Sequence, residues 1–192
     1  MRTKSLLTIA LAAAGMLYGA SVYAVDPPTT GPFGTGKITF TGTITNSPCD
    51  IAPGDDAITV PLGQISYRHL KAADDVSDSK PFTIHLQNCA FDANDTVIAG
   101  SAGKMSKVTV SFTGNADANN KGYVNTGNAQ GVAVQLLKSD NHSILTPNTD
   151  ADAQQLQTGN NELNFFARVV ALGASVTPGT VESTVTYTLK YL

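Results

Sequence analysis

Charged residues are scarce in this chain. Lys, Arg, Asp and Glu together supply 14% of its 192 residues, where an average soluble domain carries about a quarter. Basic residues are the scarcer sign, and removal of an N-terminal targeting segment deepens the deficit. Ten Lys and Arg then face fifteen Asp and Glu, a net charge of −5. Nucleic acid is excluded as a partner for such a surface. Long apolar runs are missing beyond the first two dozen residues, so no later stretch is expected to cross a bilayer. Sustained helical periodicity is absent, and the best short helical candidate is the run Tyr67 to Asp75. No internal repeat is visible. Cysteine occurs twice, at Cys49 and Cys89, without CxxC spacing, which argues against a redox or metal pair. No serine stands in a G-x-S-x-G turn.

Thr, Asn, Gly, Val and Ala take the place of charge, the composition of an exported all-β domain. Residues 1–24 read as a signal peptide. Arg2 and Lys4 precede an apolar run, Leu6 to Ala14, and Val22-Tyr23-Ala24 supplies small residues for cleavage. The mature chain, Val25 to Leu192, has 168 residues, enough for one domain with a sizeable core. In an exported protein the default state of Cys49 and Cys89 is a disulfide, closing a loop of about forty residues. Strands are expected at Ile58–Gln64, where Pro61 marks an edge or a break, and at Pro81–Cys89, Lys107–Thr113, Gly131–Lys138, Glu162–Leu172 and Val181–Leu192. The run Lys71 to Lys80 reads as an acidic loop. Turns rich in Gly, Asn and Asp, notably Gly114–Asn120 and Thr146–Asp152, separate the strands and indicate a sandwich or barrel.

Two amphipathic segments stand at the ends of the mature chain. In Gly36–Asn46, GKITFTGTITN, the residues Ile38, Phe40, Gly42 and Ile44 share one face, and Lys37, Thr39, Thr41, Thr43 and Thr45 share the other. Such a strand can pair within its own domain or complete another molecule. In the last segment Val185, Tyr187, Leu189 and Tyr191 share one face, opposite Thr184, Thr186, Thr188 and Lys190. Gly179 is fourteenth from the end and Tyr191 is penultimate. In this order and spacing the chain resembles the pilin subunits of the chaperone–usher pathway, the type 1 and P pilus family of Gram-negative bacteria. That family carries an N-terminal extension with alternating apolar residues and a glycine. A disulfide follows it, and a terminal strand has a glycine at this spacing and a penultimate tyrosine.

The resemblance implies an all-β fold, an incomplete immunoglobulin-like sandwich missing its final strand, over residues 47–192, with a donor-strand extension over 25–46. It implies a gap that exposes core side chains and unpaired strand edges. A periplasmic chaperone fills this gap first, using the C-terminal strand marked by Gly179, Val185, Tyr187, Leu189 and Tyr191. At the outer-membrane usher the extension of a neighbouring subunit replaces the chaperone, with Ile38, Phe40, Gly42 and Ile44 as the inserted face. A head-to-tail contact of this kind does not close on itself and produces a homopolymeric filament on the cell surface, supporting adhesion.

Other candidates yield no chemistry. Gly100-Ser101-Ala102-Gly103-Lys104 fails as a phosphate loop because Ile98 stands at the first glycine position and Met105 follows the lysine. His69, His85 and His142 lack ligand spacing, and Asp74, Asp75 and Asp78 lack the Gly and distal Glu of a calcium loop. Asn94-Asp95-Thr96 and Asn141-His142-Ser143 match glycosylation sequons by chance in a bacterial chain. No enzyme, metal or cofactor is expected. The alternatives are a minor adaptor subunit, which shares the fold, and a carbohydrate-binding tip adhesin, which in this family is about twice as long and lacks a donor extension.

Overall fold

The computed structural model describes residues 34–92 and 104–192. The signal peptide at 1–24, the start of the extension at 25–33, the sequon Asn94-Asp95-Thr96 and residues 100–103 of the glycine-rich stretch lie outside the described residues. Two antiparallel sheets face each other across the core. The larger runs in the order β1 (Asp50–Ile51), β2 (Lys80–Cys89), β8 (Gly159–Ala171), β5 (Val132–Leu137) and β4 (Tyr123–Val124), with β6 (Ile144–Leu145) also on β5. The smaller has the order β7 (Gln154–Gln155), β3 (Lys107–Gly114), β9 (Val185–Tyr191). No helix among the described residues is long and apolar enough to cross a membrane.

Alternation sets the register. Phe82 pairs with Phe165 and Ile84 with Leu163 across β2 and β8, so the inward rows of both strands coincide. Val108, Val110 and Phe112 of β3 meet them from the other sheet and are buried. Phe82, Phe112 and Phe165 form an aromatic cluster, with Phe112 edge-on to Phe165 at 5.0 Å between ring centroids. β3 is covered on its second face too. There Thr109 and Ser111 are buried, and the Thr109 hydroxyl donates to the Ala151 carbonyl. On the outer face of the larger sheet the Arg168 Nε–H donates to Gln135 Oε1 at 2.8 Å, and Gln135 donates onward to the Lys121 carbonyl at 2.8 Å. Burial lowers the pKa of that guanidinium.

The disulfide joins Cys49, one residue before β1, to Cys89 at the end of β2, and both sulfurs are buried. It fastens the start of the domain to a ten-residue strand, whereas β1 itself has only two residues to hold it. Cys49→Ser should therefore cost about 4 kcal/mol, the loop-closure value for forty residues. Urea titration checks this, and an unchanged midpoint would contradict it.

Three expectations need correction. Ile58–Gln64 is not a strand. The segment begins extended at Ile58 (φ −73°, ψ 129°) but finds no ladder partner among the described residues. The run Tyr67 to Asp75 contains only a 3₁₀ turn, Tyr67–His69, where the Ser66 hydroxyl caps the Arg68 N–H. The terminal strand begins at Val185, four residues later than expected, because Glu182 is held by Asn125 and Thr126 instead of by β3.

Candidate functional site

β9 is an edge strand. Its ladder with β3 runs from Val185↔Gly114 to Tyr191↔Val108, and no strand among the described residues pairs with its other side. Upstream, residues 179–182 continue the same wall. The Ala129 N–H donates to Thr180 O at 3.0 Å, the Thr126 N–H to Glu182 O at 2.8 Å, and the Glu182 N–H to Asn125 Oδ1 at 2.7 Å. All these bonds lie on the side of residues 125–129.

Opposite this wall stands the unpaired segment 56–66, and between the two lies an open groove of about 1610 Å³. Its floor is the core itself, formed by Phe82, Phe112, Tyr123, Val134, Leu136 and Ala167. Val185, Tyr187, Leu189 and Tyr191 point inward, as their spacing predicts, yet all four remain only half-buried. A groove with an apolar floor and one free strand edge has the shape of a missing strand. It offers unpaired backbone groups along one side and apolar contact below. The groove is long enough: nine residues, Gly179 to Tyr187, line this wall, against seven from Ile38 to Ile44.

The extension supplies the complementary element. Residues 34–45 form no regular secondary structure, and Ile38, Phe40 and Ile44 are 78%, 89% and 101% exposed. Large apolar side chains sharing one alternating face have no reason to stay in water once a matching surface exists. A Cβ added at Gly42 would meet nothing within 4 Å, so the free chain itself does not require glycine there.

Gly179 is required by its own surroundings. It precedes β9, outside the strand, where the chain crosses residues 128–129. A Cβ at Gly179 would lie 2.5 Å from the Asn128 carbonyl carbon and closer still to the Ala129 nitrogen. Backbone cannot yield as a flexible side chain does. Gly179→Ala should displace the groove wall at a cost of roughly 1–3 kcal/mol and weaken strand uptake. Thermal melting of the chain with and without a bound peptide of residues 34–46 checks both effects. A melting point and peptide affinity equal to wild type would remove the close approach as the reason for glycine.

Tyr191 pairs with Val108, and its hydroxyl is buried with no hydrogen-bond partner among the described residues. Burial raises the pKa of this phenol; the nearby Ser47 hydroxyl opposes the rise, and the Asp50 charge adds to it. The Ser47 hydroxyl is itself committed to the Cys49 carbonyl at 2.7 Å. The remaining candidates stay apart. Asp75 accepts from the Lys71 and Ala72 N–H groups at 2.8 Å each, Asp74 pairs with Lys121, and the His142 N–H donates to Asp140. Among the described residues no group of three or more His, Cys, Asp or Glu is placed to hold a metal.

Comparison with known proteins fits this geometry. The family described as Fimbrial protein matches residues 38–192. The chain belongs to the fimbrial protein family. This fimbrial protein is 32% identical over 190 residues to the uncharacterized fimbrial-like protein YgiL of Escherichia coli strain K12, across 98% of this chain and 97% of the relative. It is 30% identical over 191 residues to the Pap fimbrial major pilin protein of Escherichia coli, across 98% of each. A chain from a chaperone–usher pilus, whose structure explains rod uncoiling, superposes with a TM-score of 0.69 at 28% identity, over 86% of this chain and 100% of that one. The two sheets with their open edge are thus the incomplete immunoglobulin-like fold of a pilin. The fimbrial protein is a structural, non-enzymatic subunit of a cell-surface pilus.

Proposed function

We propose that the groove beside β9 receives residues 34–46 of a neighbouring copy, and that repetition of this contact builds the pilus rod. The observation that carries the reading is the pairing of two unsatisfied elements in one chain, a free strand edge over an apolar floor and an exposed segment of matching alternation. Because the segment of one copy fills the groove of the next, the contact is head-to-tail and open-ended. Ile38, Phe40, Gly42 and Ile44 face the floor, and the threonine face looks outward beside Thr184, Thr186 and Thr188. Before assembly a periplasmic chaperone covers the same groove by adding its own strand to β9, and the outer-membrane usher is where one strand replaces the other. Residues 1–24 direct export and are removed, leaving an extension over 25–46 and a domain over 47–192. The near end-to-end match to a major pilin favours a rod subunit over a tip adhesin. Electron microscopy of cells with and without the chain tests the assignment. Loss of nearly all fibre mass is expected, and retention of full-length fibres would make the chain an adaptor.

A further inference from the structure

The two ends of the groove differ. At the Gly179 end it continues past Ile65 and Ser66 into a smaller cavity of about 190 Å³, lined in part by Tyr67, Leu70 and Pro178. At the other end the side chain of Tyr187 crosses from β9 to the opposite wall, where its Oη donates to the Asp55 carbonyl at 2.8 Å. Asp55 is itself fixed. Its carboxylate accepts the His85 N–H at 2.5 Å and contacts His85 Nδ1 at 2.8 Å, and its own N–H donates to Ala52 O at 3.0 Å. Ala52 in turn donates to His85 O at 2.9 Å. The phenol is therefore tethered to a turn that is bolted onto β2. Burial, followed by the charges of Asp55 and Asp56, raises the pKa of Tyr187.

This closed end answers a problem that strand insertion raises. A slip of one residue turns the donor's threonines inward and is strongly disfavoured. A slip of two keeps the apolar face inward and is opposed only by individual side chains. The groove wall, Gly179 to Tyr187, has two residues more than the Ile38–Ile44 segment. Length alone therefore leaves room for one such slip. Building on the strand-insertion reading, we infer that Tyr187, tethered by Asp55 and His85, is an end stop that fixes the register of the incoming strand. These are positioning residues. The stop bars one direction of sliding.

The test reads register directly. A photo-crosslinking benzoylphenylalanine replaces Phe40 in the full chain, fibres are assembled, and the adduct is mapped by mass spectrometry. Wild-type fibres should give one adduct position in the groove. Tyr187→Phe keeps the ring but cuts the tether, and should add a second adduct displaced by two residues; Tyr187→Ala should shift more of the population. A merely structural role for Tyr187 would lower melting temperature while leaving the single adduct in place. One unchanged position in both variants would overturn the end stop. Should Tyr187→Ala fail to assemble, the Tyr187→Phe fibres decide alone. If wild-type fibres show no adduct in the groove, strand insertion itself is wrong and the end stop falls with it.

Discussion

Cells producing only the Gly42→Ile chain should be almost bare of fibres while the subunit accumulates in the periplasm. The free chain has no objection to the change, since a Cβ at residue 42 meets nothing within 4 Å and the segment is exposed. The fold and the groove of the mutant should thus be intact, and so should its capture by chaperone. The penalty arises when residue 42 of one copy enters the groove of the next. Glycine inside a strand brings no packing and loses more backbone entropy than other residues, so its place between Phe40 and Ile44 points to a close approach. A branched side chain there overpacks the junction by roughly 1–3 kcal/mol, about 5- to 150-fold in the equilibrium of each junction. Every junction in a homopolymer carries the same defect, so mean fibre length should fall several-fold. Gly42→Ala should fall between the two. Fibre lengths measured by electron microscopy, with periplasmic subunit quantified alongside, check this. Normal fibres from Gly42→Ile would take residue 42 off the inserted face.

The parts of the fold that the sequence revealed are those where a strand has a partner within the chain. β2, β3, β5 and β8 lie within a few residues of the expected segments, since each buries an alternating face against a neighbour. The two-residue strands β1, β4, β6 and β7 were missed because two residues carry no period. Ile58–Gln64 departs from its expected strand for a more informative reason. Its alternation is that of a strand, but the neighbour it would need is absent, so the same residues form a groove wall instead. The extension behaves likewise, with a strand's pattern and no strand in the isolated chain. Gly179 was noticed by its distance from the C-terminus, and its physical reason, the crossing of residues 128–129, depends on tertiary contact. The Tyr187–Asp55–His85 tether joins residues up to 132 positions apart and leaves no local signal. His85 looked like an ordinary outward residue of β2, and only the turn at Asp55 gives it a task.

A chain in which residues Gly34–Asn46 are fused after Leu192 through a flexible linker should be far more stable than the mature chain alone. In the unfused chain the free edge of β9 is unpaired, Val185, Tyr187, Leu189 and Tyr191 are only half-buried, and Ile38, Phe40 and Ile44 are exposed. Seating the added copy buries three large apolar side chains, worth about 1.5–3 kcal/mol each, or roughly 5–9 kcal/mol before the cost of ordering the segment. It also gives β9 a second ladder. At about 2–4 °C per kcal/mol for a domain of this size, the melting temperature should rise by about 10 °C where the second ladder offsets the ordering cost, and the fused chain should be monomeric because its groove is filled in cis. The decisive measurement is calorimetry of the mature chain, the fusion, and a fusion whose added segment carries Gly42→Ile. The account predicts a cooperative, strongly raised transition for the first fusion and loss of most of that gain for the second; equal melting temperatures for all three would mean that no strand is missing.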